Sequence, residues 1–482
     1  MMRRVSAWFR AHPLTTFCLA LVGFAVGTHL FANWRAEVRW QHYCAEARAR
    51  GVKLTLAEWT PPEIPDAENF AALPMFREIF NGGVQRPMEL PNKSHWHPST
   101  GNTAKGERFD WQVWQKFFKD NGLLAETTDE APRDVLRALE HYAPQFKEWS
   151  EWRTRPHVRF PLDSQAAITM DLPHIWTLRD AARLFELRMR AHLALGEPSA
   201  AYADFLDGFQ AFHALENEPT MIAATVQTSM LNALCESVGD GLMDRAWTGM
   251  ELAKIGDDLA SVAFWKRYRL ALESERGLYN LQYDGFAAAS RAERWNLYAA
   301  SLNGRPGPPI MSYINYVPRR FFRDNQLRHN QWTDELLAGF SKDATRFDPD
   351  APAPSGPRNW SNRIDLAYYF LFRVNALPEQ TSRFVTMQTQ LDQTRLAVAL
   401  ERFRLAHGAF PERLAELVPD FIAEVPMDGY SRQPMIYRRK DDWTFLLYGV
   451  GSNRRDEGGA DESEGFGGER RDIVWRYAPP AQ

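Results

Sequence analysis

The one stretch of this chain whose residue types suit ligand chemistry lies near its C-terminus. It reads Gly451-Ser452-Asn453-Arg454-Arg455-Asp456-Glu457-Gly458-Gly459 and closes on Asp472-Ile473-Val474-Trp475. A hard cation such as calcium takes about six to eight oxygens at roughly 2.3–2.6 Å, and a glycine-rich loop lets short acids and backbone carbonyls converge on one point. The same stretch carries Arg454, Arg455, Arg470 and Arg471. Their guanidinium groups would neutralise the acids without any metal. Three readings stay open: a calcium loop, an arginine–aspartate network, or a partly disordered loop between Asp461 and Gly468.

Other reactive side chains are scattered. His95-Trp96-His97 places two imidazoles on one side of an extended segment, but no third ligand lies nearby in sequence. Glu273, Glu275 and Arg276 fall on one helix and His174 and His192 on another, where they could line a groove. Solvated helix faces and hydrogen-bonded core histidines account for such residues more simply. The chain has no Gly-x-Ser-x-Gly elbow, no phosphate-cradling glycine loop, no His-Glu-x-x-His and no dinucleotide fingerprint. A non-catalytic protein is therefore expected. The competing expectation is a carboxylate-dependent hydrolase acting on a cell-wall or polysaccharide substrate, which would need a cleft with two facing acids in unlike environments.

With 482 residues the chain can bury a large core, and its formal net charge of −4 supplies no basic field for nucleic acid. The 17 tryptophans and 30 phenylalanines read as packing between helices. Of three cysteines, Cys18 sits in an apolar run; Cys44 and Cys235 read as buried free thiols in preference to a disulfide.

An uncharged run from Leu14 to Phe31 follows Arg3, Arg4 and Arg10 and precedes Trp34 and Arg35. As a helix it rises about 27 Å, close to the ~30 Å hydrocarbon core of a bilayer. The run continues past the small-x-small site Ala25-Val26-Gly27, which favours an uncleaved anchor over a signal peptide. Basic residues before the span place the N-terminus in the cytoplasm and the bulk outside it.

After this anchor (residues 1–35) a mainly helical body is expected over 36–350. Its clearest unit is a hairpin, Ile175 to Leu195 and Ser199 to Leu215, with Gly196 ending one helix and Pro198 opening the next. Helices follow at Met221 to Met243 and Gly249 to Leu281. The pairs are tetratricopeptide-like in length, though no 34-residue repeat can be found. The stretch from Asp348 to Pro357 is rich in proline, and 351–385 reads as a linker plus an apolar docking helix, Leu366 to Leu377. Residues 386–482 then form a small α+β module. It comprises a long amphipathic helix with Leu391, Leu396, Leu400 and Phe403 on its stripe, a turn at His407-Gly408-Ala409-Phe410-Pro411, and strands at Pro434 to Arg438 and Thr444 to Val450.

That order of features, with the turn Asp428-Gly429-Tyr430, the run Leu447-Tyr448-Gly449-Val450-Gly451 and the acidic stretch from Asp456 to Asp472-Ile473, resembles the globular domain of the major pseudopilin of type II secretion. The whole layout is similar to that of large uncharacterised membrane-anchored bacterial proteins with helical middles. The resemblance implies a helix laid on a small antiparallel sheet and a calcium loop in which Asn453, Asp456 and Asp472 supply side-chain oxygens. Asn453 stands where that family usually has Asp. No prepilin pattern begins the chain, so polymerisation as a pilin is not expected. The implied role is binding or assembly in the bacterial envelope, with a protein partner there, beside a secretion or pilus-like machine. A purely structural role is the further alternative.

Overall fold

The apolar run from Leu14 to Phe31 forms the first half of one unbroken helix, α1 (Pro13–Ala49). Pro13 occupies its first turn, where a missing N–H leaves nothing unsatisfied. In this computed structural model the described residues are 12–83, 86–91, 98, 109–163, 170–301, 314–348, 376–459 and 472–477. The His95 and His97 pair, the linker beyond Asp348, the apolar stretch from Leu366 as far as residue 375, and Asp461 to Gly468 lie outside them. Among the described residues α1 alone is long and apolar enough to cross a membrane. Its apolar half touches almost nothing: Leu14, Phe17, Phe24 and Leu30 are all more than 60% exposed.

The chain is mostly helical. After α1 come α2 (Pro74–Phe80), α3 (Trp111–Asp120), α4 (Ala131–Leu139), α5 (Ala143–Trp152), α6 (Pro173–Ala194), α7 (Pro198–His213), α8 (Met221–Met243), α9 (Gly249–Ala260), α10 (Phe264–Ala288), α11 (Arg291–Ser301) and α12 (Arg319–Leu337). The last helix, α13 (Ala376–His407), leads into β1 (Ile436–Arg439), β2 (Phe445–Gly449) and β3 (Ile473–Tyr477).

The second half of α1 changes character. Ala36, Trp40, Tyr43, Cys44 and Ala47 recur every three or four residues and are buried, the spacing of a single helical face. They lie on α12, and polar residues beside them bind across the same seam. Arg319 and Arg323 donate to Glu37 at 3.2 and 2.9 Å, and Arg39 pairs with Asp324 at 2.5 Å. The strap that follows α1 crosses α10 at Gly277, where an added Cβ would stand 2.6 Å from the backbone of Thr55 and Leu56. Asn280 fixes the strap by donating to the Leu54 carbonyl at 2.9 Å.

Helices α6 and α7 form the hairpin anticipated from Gly196 and Pro198. Gly196 has φ +74°, the left-handed conformation that suits a glycine closing a helix. Residues 249–281, expected as one helix, are split into α9 and α10. Ser261 turns its hydroxyl back onto the Asp258 carbonyl at 2.6 Å, a local bond that competes with helix continuation.

Two large apolar cores result, beside smaller clusters between α10 and α12 and at the end of α1. One joins α2 to α6 and is rich in aromatic rings: Phe70 meets Trp149 edge-on at 5.0 Å, and Phe76 meets Phe160 at 5.1 Å. The other begins in α6 to α10 and continues without a break through α13 and the sheet. Helix α13 starts ten residues before the expected Thr386, and its buried Leu391, Leu396 and Leu400 sit in that shared core. Gly408, at φ +86°, ends it. The sheet is an antiparallel meander in the order β1-β2-β3, with Ile436 opposite Tyr448 and Gly449 opposite Ile473. It rests on α8 so closely that a Cβ at Gly239 would stand 2.9 Å from the Trp475 ring.

Candidate functional site: the C-terminal acidic loop

Two anchors hold the loop. Asp428 and Gly449 pack so closely that a Cβ on Gly449 would collide with the Asp428 carboxylate. Asp428 also accepts the Ser431 amide at 2.7 Å, fixing the turn before β1. From that turn the Tyr430 hydroxyl bonds with Ser382 and Thr386 on α13, at 2.9 and 3.1 Å. The loop leaves β2 after Gly449 and returns at Asp472, the residue before β3, so the strand pairing brings its two ends together.

The three side chains expected as ligands share this loop. Asp456 Oδ1 accepts the Tyr448 hydroxyl at 2.9 Å and the Gly458 amide at 2.8 Å, while Arg438 donates to the same tyrosine oxygen at 2.9 Å. Asp472 Oδ2 accepts two amides, from Glu457 at 3.0 Å and Gly459 at 2.8 Å. Gly458 and Gly459 have φ +77° and +80°, which lets the backbone curl its N–H groups onto the acids. Asn453 plays a different part. Its Oδ1 accepts the Arg455 amide at 3.0 Å and its Nδ2 donates to Glu457 at 2.6 Å.

Glu457 thus belongs to the site although it was not among the expected ligands. Its position beside Asp456 in the glycine-rich run was the available signal. The buried Glu457 Oε2 and Asp472 Oδ1 have no hydrogen-bond partner, and Asp472 is 95% buried. Burial pushes the Asp472 carboxyl up to about 6; the Gly459 amide acts against this, and the charges of Glu457 and Asp456 add to it. The crowded Glu457 and Asp472 carboxyls can share one proton, which adds to that rise, or turn their oxygens to a hard cation. Among the described residues no group of three or more His, Cys, Asp and Glu side chains encloses a metal position. Arg470 and Arg471 lie outside the described residues.

The remaining sequence candidates do not meet in one groove. His174 is fully buried, stacked on Phe160 at 4.1 Å, with both Glu218 oxygens 3.0 Å from its Nε2. His192 instead pairs with Glu197 at 2.7 Å. Glu273 receives Arg269, Glu275 receives the Met221 amide, and Arg276 reaches Asp334. Cys44 and Cys235 are free, buried and in separate apolar clusters.

Two neighbouring acids on α7, Asp204 and Asp207, are held by Arg188 at 3.1 Å and Arg153 at 3.0 Å. Burial raises Asp204 to about 7 despite Arg188, and Asp207 adds to the rise. Neither acid lines the clefts of about 420, 780 or 350 Å³. The largest of these three lies where the body meets α13, between Lys266, Asp392, Arg395 and Glu424.

No family model matches this chain, and neither a curated protein nor a solved structure matches it.

Proposed function

We propose that this chain is a single-pass, membrane-anchored envelope protein with a non-catalytic binding or assembly role, its N-terminus cytoplasmic and its bulk beyond the membrane. The observation that carries the reading is the division of α1: an exposed, uncharged half long enough to span a bilayer runs without a break into a half built into the body. A signal peptide destined for removal would have no need of such continuity. The helical body, a tetratricopeptide-like array of hairpins, offers protein-binding surface. The segment from α13 to β3 is a pseudopilin-like module, in keeping with its long helix and three-stranded meander. Its acidic loop takes calcium through Asp456, Asp472 and neighbouring oxygens, in keeping with the crowded Glu457 and Asp472 carboxyls.

The test is retention of an envelope protein by the full chain, solubilised in detergent with calcium present and tagged at its C-terminus. Recovery of one stoichiometric partner, lost on mutation of the body surface, supports the reading. Failure to retain any partner, together with release of sugars from cell-wall glycans by the purified protein, would replace it with the hydrolase alternative.

A further inference from the structure

The seam between α1 and α12 sets how deep the body sits. The Arg320 amide donates to Asn33 Oδ1 at 2.8 Å. Asn33 lies two residues past Phe31, where the apolar run ends, or about 3 Å along the axis at 1.5 Å per residue. A bilayer has a hydrocarbon core of about 30 Å and a total thickness of about 40–45 Å with its headgroups. If α1 spans it, the start of α12 is therefore held within the headgroup layer and not above it.

The residues at that level have the matching chemistry. Tyr316 is 73% exposed and Trp34 61% exposed, and both are side chains that favour the boundary between hydrocarbon and water. Beside them stand two arginines. Arg319 keeps half of its side chain in the open while touching Glu37. Arg320 is half-buried, stacking over the Phe321 ring at 4.8 Å with its Nε covered, and no acidic group pairs with its guanidinium among the described residues. A phosphate-bearing interface accommodates both the rings and the arginines.

We infer that Tyr316, Arg319 and Arg320 form a second membrane contact, in which the ring enters the interface and the guanidinium groups bind phosphates of anionic lipids in the bilayer that holds α1. The inference rests on α1 being a membrane span, and the test separates the two. Full-length protein carrying Cys18→Ser is placed in phosphatidylcholine nanodiscs, with or without phosphatidylglycerol. Single spin labels are introduced at Val22→Cys, Tyr316→Cys or Asp420→Cys, the last as a solvent reference. Collision with oxygen, which concentrates in lipid, is compared with collision with a water-soluble nickel complex.

The expected result is a lipid-like ratio at position 22 and a ratio at 316 between those of 22 and 420. The ratio at 316 should shift further toward lipid when phosphatidylglycerol is present. Arg320→Gln should abolish that anionic-lipid shift while the circular dichroism of the protein stays unchanged. A lipid-like ratio at 22 with a water-like ratio at 316 overturns the second contact and leaves the span standing. A water-like ratio at 22 overturns both. An interfacial 316 indifferent to phosphatidylglycerol and to Arg320→Gln overturns the phosphate-binding role.

Discussion

Arg276 and Asp334 meet at 2.7 Å across the α10–α12 interface, and the arginine is 99% buried. The other oxygen of Asp334 accepts the Tyr43 hydroxyl at 2.9 Å and Arg50 at 3.1 Å. One carboxylate therefore neutralises a core cation and ties the end of α1 to the body. Asp334→Ala should destabilise the protein by about 3 kcal/mol, because the guanidinium stays buried without its counter-charge. The measurement is the urea midpoint of the detergent-solubilised chain, with limited proteolysis after Arg48 and Arg50 as a second readout. Unchanged proteolysis would show that the seam does not depend on this residue.

Gly277 offers a test of the strap over α10. Gly277→Ala adds one methyl group where the backbone of Thr55 and Leu56 already stands 2.6 Å away. Overpacking of this kind costs about 1–3 kcal/mol, even though alanine is the better helix former. Chemical denaturation should show a loss, and a gain would mean that the strap is not seated there.

For the acidic loop the sign follows from Asp472. Its folded pKa, about 6, lies above the ordinary carboxylate value, so the folded state holds the proton more tightly than the unfolded one. Without metal, the loop's contribution to stability is full below about pH 4 and is lost as the pH rises through about 6. Calcium needs the carboxylate form, so its affinity should climb over the same interval and level off above it. Calorimetric titration of the full chain at pH 5 and 7 checks this. Asp472→Asn should reduce affinity at least about tenfold, the scale of losing even an outer-shell partner of a bound metal. Equal affinity at both pH values, or none at either, would remove calcium from the loop.

The shared core makes a prediction about cooperativity. Leu400 on α13 is fully buried, and Leu400→Ala should cost about 2–5 kcal/mol. Because α13 packs on α8 and α9 within one apolar cluster, amide exchange should accelerate in α8 as well as in α13. Acceleration confined to residues 376–477 would mark the C-terminal segment as a separate folding unit.

Much of the helical scaffold was legible because it rests on short-range signals. Gly196 and Pro198 marked the α6–α7 hairpin, and the uncharged run to Phe31 marked the first half of α1. What was not legible depends on contacts distant in sequence. Nothing local tells that Asp334 gathers Tyr43, Arg50 and Arg276, or that the apolar stripe of α13 enters the same core as α8. The break at Ser261 turned on one hydroxyl bonding back to Asp258. In the acidic loop, Asp456 and Asp472 could be named in advance. The turn of Asn453 toward Arg455 and Glu457 could not, since it depends on the path taken by the backbone between them.

Helix α1 has no joint between its exposed half and the half fastened to α12. A tilt or rotation of the exposed half is therefore carried along continuous helix to the seam that Ala36, Trp40 and Tyr43 make with α12.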